Sequence, residues 1–455
     1  TMLSLARSIP MFQPIISEIV IGNPKALLIV EFAEDERDEN LNRLKKLQIT
    51  MKDLGFGWEN SEEWQGGVVH VENAHQQARV SEMRKSGLNI MMSMKQDAKP
   101  VSFVEDCAVE LEHLAEYTDK LTKIFKKYDT IGTWYAHASV GCLHVRPVLS
   151  MKKTDDVKAM RAIAEEAFDL VKQYGGSHSG EHGDGILRSE FNETMFGPEM
   201  VSLFVQVKQF FDPVGIFNPN KIVDAPKMDD RSLFRFAPGY QADDLPVIFD
   251  WSSWPGKSGG LQGAIEMCNN NGACRKLEGG VMCPSYRVTR EERDSTRGRA
   301  NSLRLALSGQ LGPNALIGDE MEETLKYCVS CKACKRECPT SVDMAKMKLE
   351  IIAMRAATKG VSFRDKLIGY LPDYAPIASR LSFFLNLRNK WSLFSHILEK
   401  ITGFTAKREL PHWRKDYFRD IEVSRVLPKQ DEADDKMPVI LFVDTFNRYF
   451  EPEII

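Results

Sequence analysis

The chain has 455 residues and a mass of 51.6 kDa, which corresponds to about three domains of ~150 residues each. Hydrophobic residues make up 43% and charged residues 27% of the chain, which excludes a globally disordered or fibrous protein. The 60 basic and 64 acidic residues leave a net charge of −4. The chain therefore lacks the excess of positive charge that would indicate a nucleic-acid partner. No apolar run reaches the ~18 residues that a membrane-spanning helix requires.

Both ends of the chain carry strand signals without the rest of a domain. Residues 27–32 are an apolar run that predicts a strand near the start, and residues 438–444 predict a buried strand near the end. Charged and proline residues over 427–437 favour a linker before that second strand. We therefore expect a fragment of a longer protein, or a shortened chain.

The first half of the chain alternates predicted strands with predicted helices. Further strands are predicted over 67–71 and 143–148. The clearest helix covers 154–174, because its apolar positions recur in steps of three and four and form one stripe, with Thr154 as the predicted N-cap. A second helix is predicted over 199–211. This alternation is typical of an α+β domain.

The patterns divide the chain into five segments. These are an α+β domain over 1–225, a connector over 226–260, a mainly helical domain over 261–405, a linker over 406–437 and the start of another domain over 438–455. Residues 367–404 combine Phe, Leu and Trp with basic residues, which fits either a helix core or a peripheral membrane contact.

Seven of the nine cysteines lie between Cys268 and Cys338. Cys328, Cys331, Cys334 and Cys338-Pro339 follow the spacing C-x2-C-x2-C-x3-C-P of an iron–sulfur ligand run. In two-cluster ferredoxins the first three thiolates of such a run bind one cluster, and the fourth binds the other cluster. A zinc knuckle is the alternative, whereas disulfides are poorly suited to so tight a run.

Upstream of this run, Cys268, Cys274 and Cys283 form a first cysteine motif. It is incomplete, because Asn271 stands where another cysteine would complete the ligand triplet. By the crossing rule, Cys283 completes a four-thiolate site with Cys328, Cys331 and Cys334. The remaining site has three thiolates, which are Cys268, Cys274 and Cys338. It holds either a three-iron cluster or a four-iron cluster whose last iron takes Asn271, water or another ligand. The remaining alternative is one cluster only, with Cys268 and Cys274 structural.

Histidines and a carboxylate recur in two segments. His137 and His144 flank a turn that leads into a strand, and Glu181 and His182 lie in a glycine-rich loop over 180–185. Two imidazoles and a carboxylate suit a divalent metal that keeps open positions for substrate, while a further histidine accepts a proton. The alternative is that these histidines are ordinary core or turn residues.

Two basic residues are candidate clamps for a substrate carboxylate. Arg84 and Lys99 precede the acidic pair Glu105-Asp106, and an arginine fork binds a carboxylate in two places. A solvated basic face is the alternative interpretation.

Taken together, these segments resemble the C-terminal, substrate-side domain of FAD-linked oxidases of the vanillyl-alcohol-oxidase superfamily. That family includes glycolate oxidase, D-lactate dehydrogenase and D-2-hydroxyglutarate dehydrogenase. The resemblance rests on Gly180-Glu-His-Gly-Asp-Gly185, Arg188-Ser-Glu-Phe191 and residues 211–222. Residues 282–286 and 295–301 are similar to the 4Fe-4S ferredoxin-type part of the large bacterial members.

The resemblance implies a ferredoxin-like sheet with helices and a role for each candidate residue. The implied metal ligands, for Zn, Mn or Fe, are His137, His144 and Glu181, and the implied active-site base is His182. The implied substrate-binding residues are Arg84 and Lys99, and Asn218 falls in the segment that approaches the flavin. Arg146, which shares a strand face with His144, is expected to help bind a second acidic group of the substrate. The two histidines keep the family's spacing, but the loop between them departs from its Gly-Asp-Gly-Asn pattern. Residues 438–455 resemble the opening of the cysteine-rich domain that follows in those proteins.

These expectations combine into an FAD-dependent D-2-hydroxy acid dehydrogenase. It would oxidise D-2-hydroxyglutarate or D-lactate to the 2-oxo acid and pass electrons from the flavin through iron–sulfur clusters to a quinone or a carrier protein. The alternatives are a non-catalytic iron–sulfur electron-transfer module and a glycolate oxidase-like subunit. In the family a preceding domain holds most of the FAD, so this chain alone is expected to be inactive. We expect a cytoplasmic protein, with peripheral contact to the inner membrane as an alternative.

Overall fold

The structure is a computed structural model that describes residues 2–9, 12–24, 26–58, 67–422 and 440–455. It divides into two compact units, Thr1–Met354 and Arg355–Ile455. An α+β region followed by a mainly helical region confirms the predicted fold class at that level. The ferredoxin-like arrangement and the five segment boundaries stay predictions.

The first part of the first unit surrounds a small antiparallel sheet. Its elements are, in chain order, α1 (Met2–Ser8), α2 (Gln13–Ile19), α3 (Arg37–Asp53), α4 (Ala74–Lys85), α5 (Gly87–Met92), β1 (Lys99–Pro100), β2 (Cys107–Ala108), α6 (Leu114–Lys127), β3 (Gly132–His137), β4 (Cys142–Leu149), α7 (Thr154–Gln173), α8 (Asn192–Phe196) and α9 (Pro198–Phe211).

The central strand of the sheet is β4, which pairs with the three other strands, always antiparallel. It is buried along almost its whole length, and it confirms the strand predicted over 143–148. Phe125 from α6 and Phe168 from α7 lie in the same apolar core as Val145 of β4. Because both faces of β4 are buried, a polar side chain on this strand destabilises the fold unless it has a hydrogen-bond partner.

The two helices predicted in this half are confirmed by α7 and α9. The predicted apolar stripe of α7 is buried, as Val157, Ala164 and Val171 show. The N-cap prediction is wrong, since Thr154 is already the first helical residue. The residue before it, Lys153, is extended and makes no side-chain cap.

Two predicted strands are wrong. Residues 27–32 and 67–71 have no strand structure, and the side chain of Leu28 is 76% exposed. An apolar run becomes a strand only where a partner strand satisfies its backbone, and none of the described strands lies beside either run. Of the strand predicted over 438–444, the first two residues lie outside the described residues, and the rest is extended without a ladder. The linker predicted over 427–437 also lies outside the described residues.

The second part of the first unit is helical and contains most of the cysteines. Its helices are α10 (Leu261–Glu266), α11 (Pro284–Thr289), α12 (Thr296–Leu307), α13 (Asp319–Lys326), α14 (Ala333–Glu337) and α15 (Met344–Lys359), the last of which runs into the second unit. Cys268, Cys274, Cys283 and Cys334 are buried in one core with Leu261.

The second unit contains α16 (Phe363–Gly369), α17 (Leu371–Arg380), α18 (Ser382–Lys390), α19 (Ser392–Thr402) and α20 (Thr445–Phe450). Among the described helices of the whole chain, none has the length and apolar character needed to cross a membrane.

Candidate active site and cluster sites

Adjacent strands place the two predicted histidine ligands side by side. His137 ends β3, and His144 lies on β4 opposite Tyr135. The two imidazole rings are 5.0 Å apart and nearly perpendicular. The turn between the strands needs Gly141, which has a φ of +67°, and a Cβ there would lie 1.8 Å from the carbonyl oxygen of Val109. The strand register therefore explains why the histidine spacing is kept although the loop sequence departs from the family pattern.

A buried aspartate holds the loop that carries the other two candidate residues. Asp106 Oδ2 accepts the backbone N–H groups of Glu181, at 2.9 Å, and His182, at 2.7 Å. The guanidinium of Arg188 binds the same carboxylate. Burial alone would raise the pKa of Asp106, but these hydrogen bonds together lower it below its ordinary value. Asp106 therefore stays ionised and fixes where the loop meets the sheet.

Glu181 brings the two histidines and the loop together. Its Oε1 lies 2.6 Å from His144 Nε2, 3.6 Å from His137 Nε2 and 3.5 Å from His182 Nε2. His137, His144 and Glu181 offer ligand atoms that all lie within 4.8 Å of one another. Two imidazole nitrogens and a carboxylate oxygen at this separation fit a divalent metal with open positions.

His144 is suited to bind a metal. Burial lowers its pKa, so the ring is neutral near pH 7 and a nitrogen lone pair is free. Its Nδ1 atom is buried without a hydrogen-bond partner, 3.7 Å from Glu105 Oε1. The ring stacks on His182, with centroids 5.1 Å apart. The described site therefore brings all four predicted residues of the metal and base set into contact.

The structure adds Glu105, to which the sequence assigned no role. Glu105, His144 and His182 form a second group whose ligand atoms lie within 4.8 Å of one another. Glu105 is buried, and the Arg146 guanidinium binds its carboxylate. The only sequence signal was an acidic pair, Glu105-Asp106, downstream of the basic candidates. Nothing local in the chain shows that this pair lies beside the histidines.

The three predicted substrate-binding residues have different surroundings. Arg84, in the last turn of α4, reaches the site: its Nε donates to the Tyr135 hydroxyl at 2.6 Å, and its Nη2 lies 3.3 Å from His137 Nδ1. Arg146 is buried and bound to Glu105 and to Ser102 Oγ. Its charge therefore already has a partner.

Lys99 is not brought into this cluster. It pairs with Leu149 at the far end of β4, five residues from His144, which is roughly 17 Å along a strand. Its Nζ contacts the Met94 carbonyl and lies 3.4 Å from Met267 Sδ, beside Cys268. Burial lowers the pKa of Lys99 to about 8.

Asn218 lies in an irregular segment that is tied to the loop of Glu181 and His182. Its backbone is left-handed, with a φ of +49°, and its side chain is exposed. Nearby, the Ile222 N–H donates to the Gly185 carbonyl at 3.2 Å. Asp212 caps the start of the segment by accepting the N–H groups of Ile216 and Phe217, each at 2.9 Å.

Four cysteines line one cavity. They are Cys283, Cys328, Cys331 and Cys334, the set that the crossing rule predicts for the complete site. Cys331 is exposed, whereas Cys283 and Cys334 are buried. Four thiolates around one cavity are the donor set of a 4Fe-4S cluster.

The other three cysteines of the region also lie near one another. Burial raises the pKa of Cys268, and the neighbouring thiols of Cys338 and Cys274 raise it further, against the lowering effects of Asn270 and Arg235. Asn271 uses its side chain locally: its Oδ1 accepts the Ala273 N–H at 2.8 Å, and its Nδ2 donates to Asn269 Oδ1 at 2.6 Å. The amide that replaces a cysteine is thus engaged in its own turn.

Cys107 and Cys142, the two cysteines outside this region, are buried in β2 and β4 of the antiparallel sheet. Burial raises the pKa of Cys107 to about 12 and is the main cause that raises the pKa of Cys142 to about 11. Neither belongs to either ligand group, although Cys142 lies between His137 and His144 in the sequence.

Comparison with known families matches both halves of this architecture. The C-terminal domain of FAD-linked oxidases matches residues 18–222, and a 4Fe-4S dicluster domain matches residues 264–342. This chain joins an FAD-linked oxidase C-terminal domain to a 4Fe-4S dicluster domain. The resemblance seen in the sequence is confirmed, and the two domains support FAD and a 4Fe-4S cluster as cofactors.

The relatives of this two-domain chain include several dehydrogenases. The D-2-hydroxyglutarate dehydrogenase of Escherichia coli is 27% identical over 97% of this chain and 46% of its own length. The enzyme of the same name from Haemophilus influenzae is 26% identical over 83% of this chain and 40% of its own length. A D-lactate dehydrogenase of Archaeoglobus fulgidus is 32% identical, over 28% of this chain and 27% of its own length. The chain spans less than half the length of these relatives.

Proposed function

We propose that this chain carries the substrate-oxidation and electron-exit parts of an FAD-dependent D-2-hydroxy acid dehydrogenase. The supporting observation is the meeting of His137, His144, Glu181, His182 and Arg84 in a chain that also carries a four-cysteine cavity. D-2-Hydroxyglutarate is the first candidate substrate because several relatives carry that name, and D-lactate is the second.

His137, His144 and Glu181 would hold the divalent metal, Zn, Mn or Fe. When bound, the metal would polarise the substrate hydroxyl, FAD would accept two electrons, and the clusters would each carry one electron onward. The chain itself must anchor the carboxylate and accept the hydroxyl proton. Arg84 is placed for the first task, because its guanidinium reaches the edge of the histidine cluster.

His182 is the proposed proton acceptor. Its side chain is about half exposed, and its Nδ1 lies 3.9 Å from Glu105 Oε1 and 4.0 Å from Asp106 Oδ2. Two carboxylates behind the ring stabilise the imidazolium that forms when a proton is taken up. Arg146 acts in this proposal by holding Glu105, and Arg84 is the proposed partner of the substrate carboxylate.

The test is anaerobic reduction of the FAD-loaded full-length protein, the form expected to be active, by D-2-hydroxyglutarate, D-lactate and glycolate. We expect flavin bleaching with a D-enantiomer and slowing by roughly 10²–10⁴-fold in His182→Ala, the usual contribution of a positioned base. His396→Ala, at an exposed histidine of α19, is the matched control and should reduce at the wild-type rate.

Three outcomes contradict this proposal. A wild-type rate in His182→Ala would remove the base assignment. No bleaching with either hydroxy acid would favour the electron-transfer module, whereas bleaching by glycolate alone would favour a glycolate oxidase-like subunit.

We also propose a second cluster, on Cys268, Cys274 and Cys338, without Asn271 as a ligand. The engagement of the Asn271 amide in its own turn supports a three-iron cluster there. We expect about seven irons per chain and a three-iron EPR signal in the oxidised protein. Asn271→Cys should remove that signal and add about one iron, while Asn269→Cys should not. Four irons with no three-iron signal would contradict the second cluster.

The electron acceptor and location are part of the proposal as well. We place the protein in the cytoplasm, with a quinone or a carrier protein as acceptor. In the second unit Phe383, Trp391 and Leu393 are exposed rather than packed in a helix core. Together with Arg380, Lys390 and Lys400 they support a peripheral membrane contact.

A further inference from the structure

An arginine is completely buried against the four-cysteine cavity. Arg299, on α12, has 0% of its surface exposed and is the largest fully buried side chain of the described residues. It lines the cavity together with Cys283, Cys328 and Cys334. A buried guanidinium is costly unless its donors are bonded, so its partners indicate why it is there.

The guanidinium bridges a cysteine sulfur and a carboxylate. Its Nη1 donates to Cys283 Sγ at 3.6 Å, and its Nη2 lies 3.4 Å from Asp294 Oδ1. Both Nη atoms also donate to Ser285 Oγ at 3.1 Å, and Nε donates to the Thr324 carbonyl at 3.0 Å. Asp294 is 1% exposed, and its Oδ2 has no hydrogen-bond partner. The guanidinium is therefore bonded to the sulfur and the Asp294 carboxylate to the guanidinium, while the Cys283 thiol also donates to the Asp294 backbone carbonyl at 3.6 Å.

The charged neighbours of the three-thiolate site are bonded differently. The Nη1 of Arg235 donates to the Cys268 carbonyl at 2.7 Å rather than to a ligand sulfur, and its charge lowers the pKa of Cys268. Cys274 Sγ accepts the backbone N–H of Arg297 at 3.3 Å, but the Arg297 guanidinium turns to Glu292, at 2.7 and 2.9 Å. That side chain is 21% exposed. Its charge is thus both paired and partly screened by water, whereas Arg299 acts where the dielectric constant is low.

We propose, on the ligand set assigned above, that Arg299 and Asp294 set the reduction potential of the cluster bound by Cys283, Cys328, Cys331 and Cys334. Reduction adds one electron and one negative charge to that cluster. A guanidinium bonded to a ligand sulfur stabilises the reduced form and raises the potential, and the carboxylate behind it opposes this effect in part. The net effect of the pair is therefore a higher potential for this cluster than it would have without them.

The exposure of Cys331 connects this potential with electron exit. It is the one exposed thiol among the described cysteines, so the cluster beside Arg299 has a ligand at the protein surface. Electrons that collect there are accessible to an external one-electron acceptor. In this proposal Arg299 acts on the potential of the cluster through its charge, so it is a positioning residue and not a catalytic residue.

The experiment is an EPR redox titration of the purified protein with dithionite, which requires neither substrate nor turnover. The reduced-state signal of this cluster is identified by its change in Cys331→Ser. Asp294→Asn should raise the midpoint potential. The double variant Arg299→Met/Asp294→Asn, which avoids leaving a buried carboxylate alone, should lower it below the wild-type value. Each shift should be at least about tenfold in the one-electron reduction equilibrium, or about 59 mV.

Arg297→Met is the matched control. It removes another cation of α12, but one that is partly exposed and already paired with a carboxylate. It should leave the potential of this cluster unchanged. Shifts of both test variants in the same direction, or no shift at full iron content, would overturn the proposal. Loss of the cluster in Asp294→Asn would also overturn it, since the pair would then act in assembly. Failure of the dehydrogenase assignment would leave these potentials unaffected, so the two proposals fail separately.

Discussion

Asp106→Ala is expected to lower the free energy of unfolding by about 3–5 kcal/mol and to release the loop of Glu181 and His182. The substitution leaves the buried Arg188 guanidinium without its carboxylate. It also removes the acceptor of two backbone N–H groups that hold the loop against the sheet. Urea denaturation gives the stability, and metal content gives the integrity of the site.

The matched control is Asp119→Ala, at an exposed aspartate of α6 that is paired with Lys123. Exposed pairs of this kind are screened by water and add little to stability, so this variant should unfold almost as the wild type does. Equal stability of the two alanine variants would show that Asp106 does not organise the loop.

The same aspartate predicts a pH dependence. Because the pKa of Asp106 is lowered in the folded protein, its stabilisation is complete above the unfolded value of about 3.9. The stabilisation is then lost as the pH falls through the folded pKa. The stability difference between the wild type and Asp106→Ala should therefore shrink below about pH 4.

Glu181→Gln is expected to remove the metal and to lower the rate of flavin reduction on the order of 10³-fold. An amide keeps the shape of the side chain but loses the charge that two imidazoles and a cation require. Loss of a Lewis acid costs several kcal/mol of transition-state stabilisation, which corresponds to that factor. Plasma mass spectrometry of the purified protein measures Zn, Mn and Fe, and stopped-flow bleaching measures the rate.

Glu193→Gln is the control for the loss of a carboxylate, because Glu193 is exposed in α8 and belongs to neither ligand group. It should keep both the metal and the rate. Metal retained at the wild-type level in Glu181→Gln would contradict the ligand assignment. A wild-type protein without divalent metal beyond its cluster iron would favour the electron-transfer module instead.

Local patterns predicted those elements whose signal is repeated along one segment. The apolar stripe of the helix Thr154–Gln173 repeats over five turns, so the sequence alone was sufficient to predict this helix. The strand predicted over 27–32 failed because its signal was a short apolar run, and a strand also needs a partner that the run cannot specify. The glycine-rich loop identified Glu181 and His182 as candidates in the sequence. Glu105 was not identified, because its place beside the histidines depends on how its segment packs against β4.

The sequence by itself determined the cluster chemistry, because the cysteines of a ligand run lie within a few residues of one another and their spacing is local. It also located the histidines and the missing thiolate at Asn271. Only the tertiary structure decided that Asp106 holds a loop 75 residues away, that Arg146 is bound to Glu105, and that Arg299 donates a hydrogen bond to the Cys283 sulfur. These are contacts between distant segments, and their formation depends on burial and charge pairing in the folded core.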